Sequence, residues 1–498
     1  MRIKRAIPLA AIAVSILFAL PSHAQFGKFK LGGGSKKATA SSHSGGGSKT
    51  SFSRQWESGN FKQAHDTAFG YLTKKGREKD KIEWGMEAAL SLRAMGDYQA
   101  SVDFFDRIDS LIEESDSAAV TSISKEAASL VTNLKALPYS GFHYERIMVS
   151  TYKALNYLSI GEREKARVEF RRAYERQRGA LAQFEKRIQQ EKDALDSTAK
   201  KSDKGKNAKM DKALENEKVQ KALSEEYKRI DELAIYADYV NPFSVYLEGL
   251  YFMTNAASAS DWERASVSLK RVSDMNGGNN EYLQADLDTV NKLLNKEISE
   301  SEMPSAVYVI FETGRSAKRV QKDVKLPLGL FIKELKNVTY PLPNLQEQGG
   351  YDERLTVGYA GGKAETSLIC NMDSVVAKEF KNNMPSIVNR TVRSVGAKAW
   401  VQGKVTKKMG GKFGIVANLG KKSFQKATNK ADLRCWSALP KEFQSARIDL
   451  PEDSQLTLTT SGGNSKTVRL NPDARCQVVY VTTILAGDDL RTQTFDLL

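Results

Sequence analysis

Apolar residues keep one period through the first half of the chain and another through the second. Between about residues 55 and 300 they recur every third or fourth position, which predicts amphipathic helices. Gly59-Asn60-Phe61-Lys62-Gln63-Ala64 reads as a turn and a helix start. The pattern returns at Gly96-Asp97-Tyr98, at Gly161-Glu162-Arg163-Glu164-Lys165-Ala166 and at Ser260-Asp261-Trp262-Glu263-Arg264-Ala265. Four residues beyond Ala64, Ser101, Ala166 and Ala265 stand Ala68, Phe105, Phe170 and Leu269, and three further on Tyr71, Ile108, Ala173 and Val272. This i, i+4, i+7 spacing puts small residues where paired helices approach and larger ones in the core. The turns lie 37, 65 and 99 residues apart, close to one, two and three periods of the roughly 34-residue tetratricopeptide repeat. Gly59, Ala64, Gly96, Tyr98, Gly161, Ala166, Phe170, Trp262 and Ala265 are the repeat signature, structural in role.

Residues 178–235 interrupt the repeats. They are dense in Lys, Glu, Gln and Ala, with Phe184, Ile188, Leu195, Leu214, Val219, Leu223, Tyr227, Ile230 and Leu233 thinly spaced. This predicts two long helices broken at 202–207, a projecting hairpin docked on its own domain or, in a sharper reading, pairing into a dimer.

From about residue 303 alternation takes over. Ser-Ala-Val-Tyr-Val-Ile-Phe-Glu at 305–312 reads as a buried strand, and 325–328 as an extended edge or turn. Residues 446–450 and 455–460 alternate, Gly462-Gly463-Asn464 turns the chain into 465–470, and 476–485 closes with an apolar strand. The expected fold class is α+β. A tetratricopeptide-like helical domain at 53–300, carrying the insertion, precedes an antiparallel β-rich sandwich or barrel at 301–498 with a basic helical insert at about 374–430.

In that insert Pro385 starts or kinks a helix, and Val388, Val392, Val395 and Ala399 form one apolar stripe. Arg390, Arg393, Lys398, Lys404, Lys407 and Lys408 lie mostly off it. Lys412, Lys421 and Lys422 follow in a loop rich in Gly and apolar residues. Such a combination suits an anionic membrane or polymer surface; its plainer reading is a helical cover on the sheet with solvated lysines.

Composition sharpens this. The 498 residues carry 75 Lys and Arg against 60 Asp and Glu, a net charge of +15, with 41% apolar and 27% charged residues. That mixture excludes wholesale disorder and a polytopic membrane protein. Residues 378–434 hold fourteen Lys and Arg against Glu379 and Asp432, an excess of twelve, and Arg2, Lys4 and Arg5 supply the other three. Residues 1–24 read as a secretory signal: a basic start, fifteen apolar residues at 6–20, Pro21, then Ser22-His23-Ala24. An uncleaved N-terminal anchor is the alternative. Gln25 stands where a lipoprotein needs Cys. Residues 25–52, with two Gly-Gly-Gly-Ser runs, read as a flexible tether. The expected address is the periplasm, with peripheral membrane attachment through the basic insert as a variant.

Cys370, Cys435 and Cys476 form no CxxC pair, and beyond the signal the histidines are His43, His65 and His143. No metal site and no cofactor are expected. One disulfide is expected, Cys435 with Cys476 being the favoured pair, although spacing alone does not fix connectivity. No histidine follows His143, which removes Ser-His-Asp and Cys-His catalysis from the β half. The stretch from Gly414 to Ser423 fails as a phosphate loop, having five residues between its glycines and Lys422 where Ser or Thr is required. Nucleic acid is not an expected partner, since no aromatic platform interleaves the basic residues.

Four stretches carry a resemblance. Glu145-Arg146-Ile147-Met148-Val149-Ser150-Thr151-Tyr152-Lys153-Ala154-Leu155-Asn156-Tyr157-Leu158, running on into 166–173, is similar to the signature of an uncharacterised family of exported bacterial tetratricopeptide-like proteins, as is Asn241-Pro242-Phe243-Ser244-Val245-Tyr246-Leu247-Glu248-Gly249-Leu250. Val309-Ile310-Phe311-Glu312-Thr313-Gly314 and Ala431-Asp432-Leu433-Arg434-Cys435-Trp436-Ser437-Ala438-Leu439-Pro440 resemble its two later motifs. The resemblance implies envelope residence, for some members proximity to activators of peptidoglycan synthesis, and no catalytic residue. The expectation is a non-enzymatic scaffold holding an envelope protein or peptide in the helical groove. The alternatives are a peripheral binder of anionic membrane or envelope polymer, and a two-carboxylate carbohydrate-active enzyme.

Overall fold

Helix caps and turn glycines set out the first half. The computed structural model describes residues 46–126, 138–198, 201–336, 338–408 and 430–498. The signal at 1–24, most of the tether and the loop bearing Lys412, Lys421 and Lys422 lie outside the described residues. Helices α1 (Gly46–Glu57), α2 (Phe61–Leu72), α3 (Lys81–Ala94), α4 (Tyr98–Glu126), α5 (His143–Ser159) and α6 (Arg163–Thr198) pack in consecutive pairs, as do α9 (Pro242–Thr254), α10 (Ala259–Met275) and α11 (Glu281–Leu294). Three pairs turn at Gly59, Gly96 and Gly161, whose φ values of 69°, 82° and 76° favour a residue without Cβ. Asn60 caps α2, and Asn241 caps α9 with Pro242 in its first turn. Of the repeat positions, Ala64, Ala68, Ser101, Phe105, Ala166, Phe170, Ala265, Leu269 and Val272 are buried, while Tyr98 and Trp262 are half-buried.

Helix α1 starts inside the stretch read as tether. Phe52 is fully buried against Trp56 and Trp84, so apolar contact orders residues that composition alone marks as flexible.

The insertion is also organised differently. In place of two helices broken at 202–207, α6 is followed by α7 (Lys201–Leu214) and α8 (Glu217–Leu233). Gly205 sits inside α7, where it costs about 1 kcal/mol relative to Ala. One boundary lies between Thr198 and Lys201, near the expected break, and a second falls at Asn216, which caps α8 through the Lys218 N–H. This part of the insertion is docked on the rest of the chain. Val219, Tyr227 and Ile230 join a core made with the β half.

That half contains β1 (Ala306–Thr313), β2 (Lys318–Lys325), β3 (Thr339–Gln346), β4 (Leu355–Tyr359), β5 (Gly362–Glu365), β6 (Ser367–Asn371), the long helix α12 (Met372–Lys408), β7 (Glu442–Ile448), β8 (Gln455–Thr460), β9 (Ser465–Arg469), β10 (Cys476–Thr483) and β11 (Arg491–Asp496). A five-stranded sheet runs β11-β10-β1-β7-β6, a four-stranded sheet β5-β4-β8-β9, and β2 pairs with β3. The pairing is antiparallel except for β1 with β10 at the centre of the larger sheet.

Alternation along β1 explains the layers. Val307, Val309 and Phe311 face Leu355, Val357, Leu456 and Leu458 of the smaller sheet, making the sandwich. Tyr308 and Ile310 point the other way, into a core shared with the helices. With both faces covered, every residue of β1 is buried. The described residues from Gly46 onward thus form one compact unit, and the division near residue 300 is a change of secondary structure inside a continuous core.

Candidate functional site

The four stretches singled out in the sequence converge on the seam between helices and sheet. Glu145 Oε1 accepts the Trp436 N–H at 2.7 Å, while Oε2 accepts from Tyr139 Oη at 2.7 Å and the Phe142 N–H at 2.9 Å. Glu87 takes the Ser437 and Ala438 N–H groups at 2.8 and 3.2 Å, and Arg434 pairs with Asp80 at 3.2 Å. The Trp436 ring enters between Phe105 and Tyr152. Phe243 stacks on Phe443 at 3.6 Å between centroids, Tyr246 meets Ser445 at 2.7 Å, and Tyr152 and Tyr480 donate to Glu312. The face of α3–α5 therefore holds residues 434–438 of its own chain, a short non-regular segment whose N–H groups need side-chain acceptors. Burial pushes Glu145 up to about 7, although its donors favour the charged form. Burial also opposes the charge on Lys49, yet Glu83 and Glu87, 3.1 and 2.7 Å away, hold its pKa above the ordinary value.

An open recess lies elsewhere, between α7, α8 and the middle of α12. Its volume is about 700 Å³, within the range of small-molecule and peptide clefts. Leu214, Leu223, Tyr227 and Ile230 supply one wall, Met384 and Val388 the other. Ion pairs cross the rim: Asp211 with Arg393 at 2.8 Å, and Asp231 with Lys381 at 2.7 Å. Pro385 also lines the cleft, inside α12 and not at its start. Its ring has no N–H to give the Lys381 carbonyl, so an acceptor is released within the lining.

The basic residues fare unevenly. Val388, Val392 and Val395 are buried as the stripe requires, against β2–β3 and α8. Arg393 is 15% exposed and committed to Asp211, and Arg390 is half-buried. Neither is a free cation on a solvent face. The backbone of α12 continues through Lys398, Lys404, Lys407 and Lys408, whose side chains lie outside the described part, as do Lys412, Lys421 and Lys422 entirely.

The expected disulfide is absent. Cys370, Cys435 and Cys476 are free and buried in separate surroundings. Cys476 opens β10 opposite Ala306, whereas Cys435 sits in the docked segment, its carbonyl 3.3 Å from Lys49 Nζ. Burial pushes their thiols up to about 12, 11 and 11 respectively.

Asp211, Asp231, Lys381 and Met384 went unmarked in the sequence. The apolar stripes of α8 and α12 were legible there, but their facing each other is a tertiary fact. Among the described residues no helix is long and apolar enough to cross a membrane. No family model, curated protein or solved structure matches the chain.

Proposed function

We propose that the protein is an exported, non-enzymatic scaffold of the cell envelope that holds an amphipathic segment of a partner protein. The observation that carries this reading is the cleft between α8 and α12, with its apolar floor and charged rim. Apolar anchors from one face of a short helix fit such a floor, and polar flanks meet the Asp231–Lys381 and Asp211–Arg393 pairs. The α3–α5 face is a weaker candidate for the partner because residues 434–438 already fill it. A photoreactive residue at Leu223 tests the reading in intact envelopes. A discrete crosslinked product is expected there and not from the same residue at exposed Val267. The same pattern from both positions, or no discrete product, refutes the cleft as the working surface.

A second reading is attachment to anionic membrane or envelope polymer through 378–434, supported by its excess of twelve positive charges. Salt-sensitive sedimentation with anionic vesicles tests it, and binding that persists when Lys404, Lys407 and Lys408 are changed to Gln argues against it.

A further inference from the structure

A second recess, of about 230 Å³, opens where the end of α3 and the start of α4 meet the edge strand β11. It is lined by two guanidinium groups. Arg93 is buried, donates to Asn156 Oδ1 at 2.6 Å, and lies over the rings of Tyr480 and Tyr152 at 5.0 and 5.6 Å. Arg491 lies over the Phe61 ring at 4.7 Å. Stacking on aromatic faces fixes each guanidinium plane and leaves its in-plane N–H groups for other partners.

The recess has too little negative charge of its own. Among the described residues Glu312 is its one carboxylate, and both of its oxygens already accept hydroxyls, from Tyr152 and Tyr480. Among the described residues neither arginine forms an ion pair, and the buried Nη2 of Arg491 has no hydrogen-bond partner. Desolvation draws the Arg491 pKa below its ordinary value, with Asp488, Glu312 and Asp489 offsetting only part of it. A cation with a buried, unpartnered donor is costly unless an anion completes it.

The walls indicate what carries that anion. Trp56, Phe61, Leu90 and Met95 are apolar, while Thr492 and Gln493 give polar groups on the opposite side. We propose that this recess binds a carboxylate borne on a short apolar stem, the carboxylate bridging Arg491 and Arg93 and the stem lying against Trp56, Phe61 and Leu90. Paired N–H groups of a guanidinium match a carboxylate's two oxygens, which favours this chemistry over a neutral ligand. The stem belongs either to a free small acid or to the C-terminal residue of a polypeptide laid beside β11, which has a hydrogen-bonded neighbour on one side alone.

Calorimetric titration of the full chain with N-acetyl-valine tests this, with N-acetyl-valinamide as the neutral control. Saturable binding of the acid and none of the amide is expected. Arg491→Gln should weaken binding at least tenfold. Met95→Trp, which crowds the mouth from a position 41% exposed, should do the same without removing a charge; unchanged melting temperatures establish that both variants fold. No saturable binding of the acid, equal binding of the amide, or full binding in both folded variants overturns the proposal. A hexapeptide ending in valine separates the sources: tighter binding than the free acid assigns the site to polypeptide C-termini, weaker binding to small acids.

Discussion

The Trp436 N–H donates to Glu145 Oε1 at 2.7 Å across 291 positions of sequence. The bond joins a helix of the first half to a loop beside the sheet of the second, and both residues are buried. Replacing Glu145 with Ala leaves the Trp436 and Phe142 N–H groups and the Tyr139 hydroxyl without their acceptor. Each unmatched buried donor costs roughly 1–3 kcal/mol, so a loss of at least about 3 kcal/mol is expected by urea unfolding. A loss below about 1 kcal/mol would show that water replaces the carboxylate.

Burial also makes stability depend on pH. Glu145 and Glu248 rise from 4.5 to about 7, and Asp286 from 3.8 to about 7. Between the unfolded and folded values the folded chain holds protons that the unfolded chain has released. Stability therefore falls as pH rises through that window, by up to about 1.4 kcal/mol per unit for each group. His143 acts oppositely: burial lowers it from 6.5 to about 3, so below pH 6.5 the unfolded chain takes up a proton that the folded chain refuses. The melting temperature should accordingly drop as pH rises from 6.5 through about 7, where His143 no longer contributes, and Glu145→Gln should flatten the slope. A profile rising over that range would contradict these shifts.

The thiols give a direct chemical readout. All three cysteines should be silent to a thiol reagent in the native protein and react together on unfolding. A reducing agent should leave the melting temperature unchanged. Two missing thiols in the denatured chain would instead reveal a disulfide.

Phe443 tests the common core. Its ring stacks on Phe243 within 5° of parallel, and both are fully buried. Phe443→Ala should cost about 3–5 kcal/mol. Unfolding followed by helical circular dichroism and by tryptophan fluorescence should stay a single coincident transition in the parent protein. Separate transitions would mean that the halves are independent.

The sequence announces whatever depends on local period. The turns at Gly59, Gly96 and Gly161 and the buried partners Phe105, Phe170 and Leu269 follow from helical spacing alone. Strands β1, β8, β9 and β10 follow from alternation and the Gly462-Gly463 turn. Strand β2 escapes because Lys318-Arg319-Val320-Gln321-Lys322-Asp323 carries one apolar residue, being the solvated half of a two-stranded ribbon. The parallel pairing of β1 with β10, 170 positions away, has no local trace. The cleft is half legible: both apolar stripes stand out in the sequence, but nothing local brings that of α8 against that of α12. The recess at Arg93 and Arg491 was silent, since both residues are unremarkable until folding brings them to one Glu312.

Strand β1 lies at the middle of its sheet, yet its neighbours β7 and β10 are both made late in the chain. The acids at Glu87 and Glu145 likewise wait for residues 436–438. A chain emerging from its N-terminus can form helix pairs early but has no way to close its centre until the last strands arrive. The central sheet therefore needs β7 and β10 before its middle strand is paired on both sides. A chain lacking β10 should leave one edge of β1 unpaired and the shared core open to proteases, even where helix pairs have formed.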